Sequence, residues 1–475
     1  MDNNLISKPY CNSTGKRKLP VLRVSGLMIA PLVLACANVM AQTVPEPKPA
    51  DEPPTTVEDT LELDDDKFEI EQGQSPLDDS FSPKTRRETI KEQRKQAIKD
   101  TVFDVQIRSM YFDRDKFDNS ESTAMGLGGY AGFKTGYFRN IMALGVTGYT
   151  SQPLYAPEGK GGTGVLTSNQ LGYIVVGEVY GQFRLAENVN IDVGRKALNT
   201  PFINKSDTRM TPNTFQTAIL QGVVGTEESG QWRFGAGYVD AIKEKTSERF
   251  VSMSQVAGAA DGVDKGVYVA GANFKRGGLS IGAVDYFSDD IINIFYSEAK
   301  YAIPLGEETD LLLGLQYTDQ GSTGDDLLTG SDFSTNQFGA KAELSYKRAV
   351  FSTSWTGNSN DADLRSPWGS IPSYNSVQVQ DFNRAGEDAF MLRASYKFKA
   401  LEGFSAYALW VNGTQPTDPA LSPQDEYDFN LQWTASKGSL KGFSVRARYA
   451  VVTQDFGGPD LQDFRLIFNY DPPGL

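Results

Sequence analysis

The chain of 475 residues contains no histidine. A Ser-His-Asp triad and a histidine-ligated metal are therefore excluded at the outset. Its two cysteines, Cys11 and Cys36, both lie in the first 36 residues, so everything after them lacks a disulfide frame and thiolate chemistry. Long apolar runs are scarce as well. A mean hydropathy of −0.38, with 46 glycines, excludes a bundle of apolar membrane helices. It does not exclude a membrane β-barrel, whose strands are apolar on one face only. Positive charge is the minority, 46 Lys and Arg against 60 Asp and Glu, for a net charge of −14. That balance argues against nucleic acid as a partner, and nothing in the composition calls for a cofactor.

The one mostly apolar run, Val24 to Ala37, follows the basic group Lys16, Arg17, Lys18 and Arg23 and is interrupted by Pro31. With Val39-Met40-Ala41 behind it, residues 1–41 read as a secretory signal cleaved after Ala41. The alternative is lipid attachment at Cys36 through Val33-Leu34-Ala35-Cys36, where Leu34 stands in place of the usual small residue. Gln42 to Pro83 holds 13 Asp or Glu against two Lys, with many prolines and no apolar periodicity. This is the composition of a disordered linker. Arg86 to Asp100 is basic and rich in helix formers, with few apolar residues. A short helix is plausible there, but alone it is marginal, so a solvated spacer is expected rather than a pore plug or a partner-binding element.

From Thr101 the period of the apolar residues becomes two. Phe443, Val445, Ala447, Tyr449 and Val451 fall on one side of their segment and Ser444, Arg446 and Arg448 on the other. Phe464, Leu466, Phe468 and Tyr470 alternate in the same way with Asp463, Arg465 and Asn469. Strict alternation means strands with one apolar face. About 18 such runs can be counted, with starts near Phe103, Met125, Ile141, Leu171, Asn188, Phe215, Gly230, Gly266, Leu279, Ile291, Asp310, Gln337, Ala349, Asp388, Leu401, Glu426, Gly442 and Leu461; an even number suits a closed antiparallel barrel. Connections alternate between short ones, such as Arg139-Asn140 and Lys347-Arg348, and long ones, such as Thr150 to Asn169 and Gly357 to Glu387. That alternation is the pattern of short turns at one rim and long loops at the other. A soluble propeller or sandwich would have to hide the aromatics that recur on the apolar face, such as Trp232, Phe338 and Trp433; a bilayer places them in interfacial girdles.

The opposite faces carry Arg108, Arg184, Arg233, Lys341, Arg393, Lys397, Arg446, Arg448 and Arg465, with Glu178, Asp192, Glu343, Asp428 and Asp463. Hydration of a polar lumen accounts for most of these. Arg446, Arg448 and Arg465 cluster on two adjacent strands, and a guanidinium stays charged and binds a carboxylate bidentately. One connection differs from the rest. Gly194 to Phe215 contains Pro201 and Pro212, which cannot join a ladder, and many turn-forming residues. Its Phe202, Ile203 and Met210 are apolar, so it is expected to fold onto something, and it carries Arg195, Lys196, Lys205 and Arg209. This is a candidate functional loop.

Six stretches together resemble the porin D (OprD) family of substrate-specific outer-membrane channels. They are Asp104 to Asp115, Ser206 to Phe215, Gly237 to Phe250, Ser366 to Tyr374, Asp381 to Glu387 and Asp463 to Tyr470. The resemblance runs from Thr101 to Leu475. It implies an all-β transmembrane barrel of 18 strands, residues 102–475, whose third and seventh outer loops fold inward to a narrow eyelet. It also implies a basic ladder that guides carboxylates. Arg209 matches the eyelet arginine, Arg446, Arg448 and Arg465 match ladder positions, and Arg108 matches a basic position on the first strand. Arg393 shares the lumen face, and Asp381 falls where the family can place an acid selecting cationic amino acids. The tail, residues 42–101, is longer than usual for the family.

The function so implied is passive, selective uptake of small carboxylates, organic or aromatic acids or amino acids, without catalysis, metal or cofactor. The alternatives are a general diffusion porin and, further off, a barrel enzyme. The implied surroundings are the outer membrane of a Gram-negative-type bacterium, with lipid and lipopolysaccharide around the barrel, barrel-insertion machinery and a periplasmic tail. A monomer is implied, with a weak trimer as the alternative.

Overall fold

The computed structural model describes residues 90–455 and 457–473. The signal segment, with its alternative lipid site at Cys36, and the acidic stretch up to residue 89 lie outside them. The strands are β1 (Val102–Asp115), β2 (Glu121–Lys134), β3 (Met142–Tyr155), β4 (Tyr173–Ala186), β5 (Val189–Lys196), β6 (Thr214–Thr226), β7 (Gly230–Lys243), β8 (Val251–Ser252), β9 (Val267–Arg276) and β10 (Leu279–Ser288). They continue as β11 (Ile292–Gly306), β12 (Thr309–Gly321), β13 (Ser334–Tyr346), β14 (Ala349–Asn358), β15 (Asp388–Lys397), β16 (Phe404–Thr414), β17 (Gln424–Thr434), β18 (Phe443–Gln454) and β19 (Leu461–Tyr470).

Two-residue β8 only touches the end of β7 and lies outside the barrel. The other 18 pair antiparallel with their sequence neighbours, and β1 pairs with β19 from Ile107↔Tyr470 to Asp115↔Gln462. Closure leaves no edge, which a bilayer demands because lipid cannot satisfy an open row of backbone groups. The observed strands begin within four residues of the positions expected from the alternation alone.

Alternation also decides which side chains face out. In β15, Phe390, Leu392 and Tyr396 are exposed while Ala389, Met391 and Ser395 are buried. The outward aromatics form two bands. One, at the short-turn rim, links Phe404 to Trp433, Trp433 to Phe443 and Phe443 to Phe468 at centroid distances of 6.2, 6.3 and 6.5 Å. The other lies near the long-loop rim, where Phe338 meets Trp355 at 6.2 Å and Phe390 meets Trp410 at 6.4 Å. Two girdles flanking an apolar band are what the two bilayer interfaces select.

Helix α1 (Ile90–Lys99) is not simply a solvated spacer. Ala97 is buried, and its carbonyl accepts from Gly136 N at 2.9 Å and from Thr101 Oγ1 at 3.1 Å. Gly136 lies in the short connection from β2 to β3. A Cβ there would come within 2.7 Å of Asp100 Cβ and 3.1 Å of Ala97 Cα, so only glycine lets the helix end sit this close. Tertiary contact supplies the stability that the isolated helix lacks.

Candidate functional site

The third long loop, residues 197–213, turns inward because its apolar side chains find a core there. Phe202 and Ile203 are buried among Trp368 and Ile371 of the seventh loop, Met253 of the fourth, and Tyr286, Ile292 and Ile294 of the wall. Met253 opens the five-residue helix α2 (Met253–Ala257), and its carbonyl accepts from Trp368 Nε1 at 2.9 Å. Asn204 joins the third and seventh loops. Its Nδ2 donates to Ser370 O at 2.9 Å, and its Oδ1 accepts from Ser370 N at 2.9 Å.

Beyond Asn204 the loop tip is held by charge. Arg108 of β1 donates to Asp207 through both terminal nitrogens, at 2.6 and 3.0 Å, and to the carbonyl of Arg209 at 2.6 Å. Its Nε donates to Asn469 at 2.9 Å. The first-strand arginine is thus committed to fixing the loop. Lys245 of the fourth loop supports the same tip, donating to Ser206 Oγ at 3.1 Å and Thr208 Oγ1 at 3.3 Å.

Arg209 is placed differently. Its Nε and one terminal nitrogen donate to the carbonyls of Thr163 and Thr208, both at 2.9 Å. Among the described residues no carboxylate pairs with it. Its guanidinium carbon lies 4.9 Å from the centroid of Phe112, a buried ring on the lumen side of β1. The second long loop packs on its other flank. Val165 and Leu166 are buried with Met110, Phe112 and Met210, and Gly164, at φ +70°, brings the backbone against Arg209.

The sheet register extends this arrangement around the wall. Arg448 of β18 sits opposite Arg465 of β19, and Arg465 opposite Phe112. Arg465 lies 5.4 Å from the Phe112 centroid, and Arg114, one inward position along β1, lies 5.2 Å from it. Asp463 lies between these last two, 2.7 Å from Arg465 Nε and 2.6 Å from an Arg114 terminal nitrogen. Arg446 is one inward position nearer the short turns, with its Nε donating to Asn430 at 2.6 Å. Tyr407 joins Arg448 to a further cation: Arg448 donates to its hydroxyl at 3.3 Å, and Arg393 stacks on its ring at 4.3 Å. The structure therefore brings Arg108, Arg209, Arg448 and Arg465 to one side of the lumen, with Arg446 and Arg393 beside them. Asp381 belongs to the seventh loop and accepts from Ser376 Oγ.

The seventh loop, residues 359–387, is fixed to the same wall through its backbone. Three consecutive N–H groups donate to buried carboxylates of β17: Gln378 to Asp428 at 3.1 Å, and Val379 and Gln380 to the two oxygens of Glu426, both at 2.7 Å. The Gln378 side chain donates to Asp463 at 2.8 Å. Across the lumen, Tyr374 donates to Glu298 at 2.9 Å.

Sequence reasoning did not single out Phe112, Asp207, Glu426 or Lys245. Phe112 sits in a strand whose outward face is also apolar, so alternation alone did not mark it. Val165-Leu166, the apolar pair in a loop rich in glycine and threonine, was an available signal for the inward fold of the second loop. Among the described residues no group of three or more acidic side chains converges as a metal cage.

A family model described as outer membrane porin, OprD family, matches residues 95–473. The chain belongs to the OprD family of outer-membrane porins. Solved structures share the barrel. Pseudomonas aeruginosa OccK9 (OpdG) superposes with a TM-score of 0.71 at 21% identity, covering 79% of this chain and 99% of that one. Acinetobacter baumannii OccAB2 gives 0.70 at 20% identity over 79% and 99% of the two chains. Pseudomonas aeruginosa OpdK, solved with vanillate, gives 0.68 at 19% over the same shares. Among curated proteins no relative matches the chain. The family and fold are those of channels for small solutes in the outer membrane of Gram-negative bacteria.

Proposed function

We propose that this porin is a passive, selective channel for small solutes bearing a carboxylate, with Arg209 as the cation at its narrowest point. The observation that carries this reading is the setting of Arg209. It projects from an inward-folded loop, spends its hydrogen bonds on two backbone carbonyls, and has no carboxylate partner among the described residues. Arg108 is the contrast, since its charge is already matched by Asp207. An uncompensated guanidinium in a narrow, poorly hydrated passage is a site for an anion. Arg448, Arg446, Arg465 and Arg393 continue the cationic side, offering successive weak contacts that a carboxylate can leave as well as enter. Asp381, on the seventh loop, favours a solute that carries an ammonium beside its carboxylate.

The structure of OpdK with vanillate, itself a small carboxylate, supports the same class of solute here. The short turns and α1 face the periplasm and the long loops the exterior. The barrel works as a monomer, needs no energy coupling, and meets lipid, lipopolysaccharide and the insertion machinery on its way to the membrane.

The test is the reversal potential of single channels in a salt gradient. Arg209→Glu reverses the preference from anion to cation while the barrel still assembles. An unchanged potential overturns the reading. Passage of a neutral sugar as fast as benzoate marks a general diffusion pore instead.

A further inference from the structure

Like charges converge around one aromatic ring on the lumen side of β1. Arg114, Arg209 and Arg465 come from β1, the third loop and β19, yet all three guanidinium carbons lie between 4.9 and 5.4 Å from the centroid of Phe112. Asp463 balances Arg114 and Arg465, which both reach it. It makes no hydrogen bond to Arg209. Of the three cations Arg209 alone makes its hydrogen bonds only to neutral carbonyls, beside two others of its own sign.

Repulsion between unit charges a few ångströms apart is substantial at any dielectric below that of water. A ring face is negative and attracts a guanidinium without consuming its donors. A carboxylate in the same place would hold the arginines too, but would cancel the charge a solute is to meet. An aliphatic residue would fill the space and leave Arg209 free to swing away from Arg465.

We propose that Phe112 is a positioning residue for selectivity, whose ring holds Arg209 beside the Asp463-paired Arg465 without giving Arg209 a carboxylate of its own to bond. The inference rests on the carboxylate-channel reading of the same site. Its neighbours show that Phe112 is more than filler. It is buried against Met110, Val165, Leu166 and Met210, so packing fixes the ring plane, and the cations adapt to it. A ring packed in a core cluster is a rigid platform for flexible side chains.

The experiment compares Phe112→Leu with Phe112→Tyr in planar bilayers, with heat-modifiable gel migration as the check on assembly. The readouts are the chloride-to-potassium permeability ratio and block of chloride current by benzoate at low salt. Phe112→Leu lowers the permeability ratio by about two- to five-fold, the factor a cation–π contact of this size is worth, and weakens benzoate block. Phe112→Tyr retains both. If Leu impairs assembly, Phe112→Met fills the volume without a ring and gives the same readout. In an Arg209→Gln/Arg465→Gln background, Phe112→Leu produces no further change, because Arg114 is held by Asp463 and the ring acts on selectivity through the other two cations.

A wild-type permeability ratio in Phe112→Leu overturns the proposal. So does an equal drop in the arginine-depleted background, since the ring would then act on pore shape. Failure of the underlying reading looks different. Arg209→Glu would itself leave the reversal potential unchanged.

Discussion

The third and seventh loops both fill the lumen, but they are held there by opposite means. The third loop is held by its side chains: Phe202 and Ile203 in an apolar core, and Asp207 on Arg108. The seventh is held at its tip by its backbone, with three successive N–H groups on Asp428 and Glu426. The difference matters for function. A loop tied by side chains can present a charge of its own choosing, and the third loop presents Arg209. A loop tied by its backbone instead brings the wall's carboxylates under its own amides. Asp428 and Glu426 thereby anchor the loop to β17. One loop carries a cation of its own, and the other takes up the wall's carboxylates with its backbone amides.

Trp368→Ala breaks both halves of this comparison and has the largest effect. The indole lies between the third, fourth and seventh loops, and loss of a buried Trp costs about 3–5 kcal/mol. The barrel assembles, conductance rises, and discrimination between benzoate and a neutral sugar falls. Unchanged single-channel conductance would falsify the shared core.

Glu426→Gln touches the seventh loop alone. The amide keeps one acceptor but turns its NH2 toward a backbone N–H, leaving that donor unpaired at a cost of about 1–3 kcal/mol. Greater open-channel noise is expected, with the anion preference set by Arg209 intact. A quiet channel that has lost its anion preference contradicts the division of labour.

Arg108→Lys touches the third loop alone. An ammonium cannot reproduce the two-pronged contact with Asp207, so the tip loosens by about 1–3 kcal/mol. Anion preference falls although the charge of the wall is unchanged. Equal behaviour of Arg108→Lys and the native channel would show that Arg108 serves as a plain lumen charge.

The smallest effect concerns a clasp above both loops. Lys265 of the fourth loop donates to Asp289 at 2.9 Å and Asp290 at 2.8 Å, and Asp290 accepts from Asp325 N of the sixth loop at 3.1 Å. The hydrogen bond from Lys265 holds the Asp290 carboxyl below its ordinary value of 3.8. A lowered carboxyl pKa stabilises the folded clasp fully above about pH 4, and that contribution fades as the pH falls through the depressed value. Gating noise should therefore increase only below about pH 4, and Lys265→Met should remove the dependence. Noise that grows between pH 7 and 5 would assign the response to another group.

Much of this architecture is legible without coordinates. Period-two alternation and the positions of glycine, asparagine and proline are local properties, and a bilayer punishes any strand that violates them. Strand starts, the closed barrel and the inward face of Arg446, Arg448 and Arg465 were therefore readable. The apolar Phe202, Ile203 and Met210, misplaced in a polar loop, announced an inward fold for the same reason: water does not tolerate them.

What each lumen charge is for was decided only by tertiary structure. Arg108 and Arg209 look alike in sequence, one on a strand and one in a loop. Folding gives Asp207 to Arg108 and gives Arg209 a ring and two carbonyls, so one arginine is tied to a carboxylate while the other is hydrogen-bonded only to neutral groups. Asp428 likewise reads as a lumen acid until the seventh loop covers it. The physical reason is that alternation determines the face a side chain occupies, whereas the neutralisation of a charge depends on which groups meet it across a lumen. Those partners lie up to several hundred residues away along the chain, as with Arg114 and Asp463, and no local pattern records the meeting.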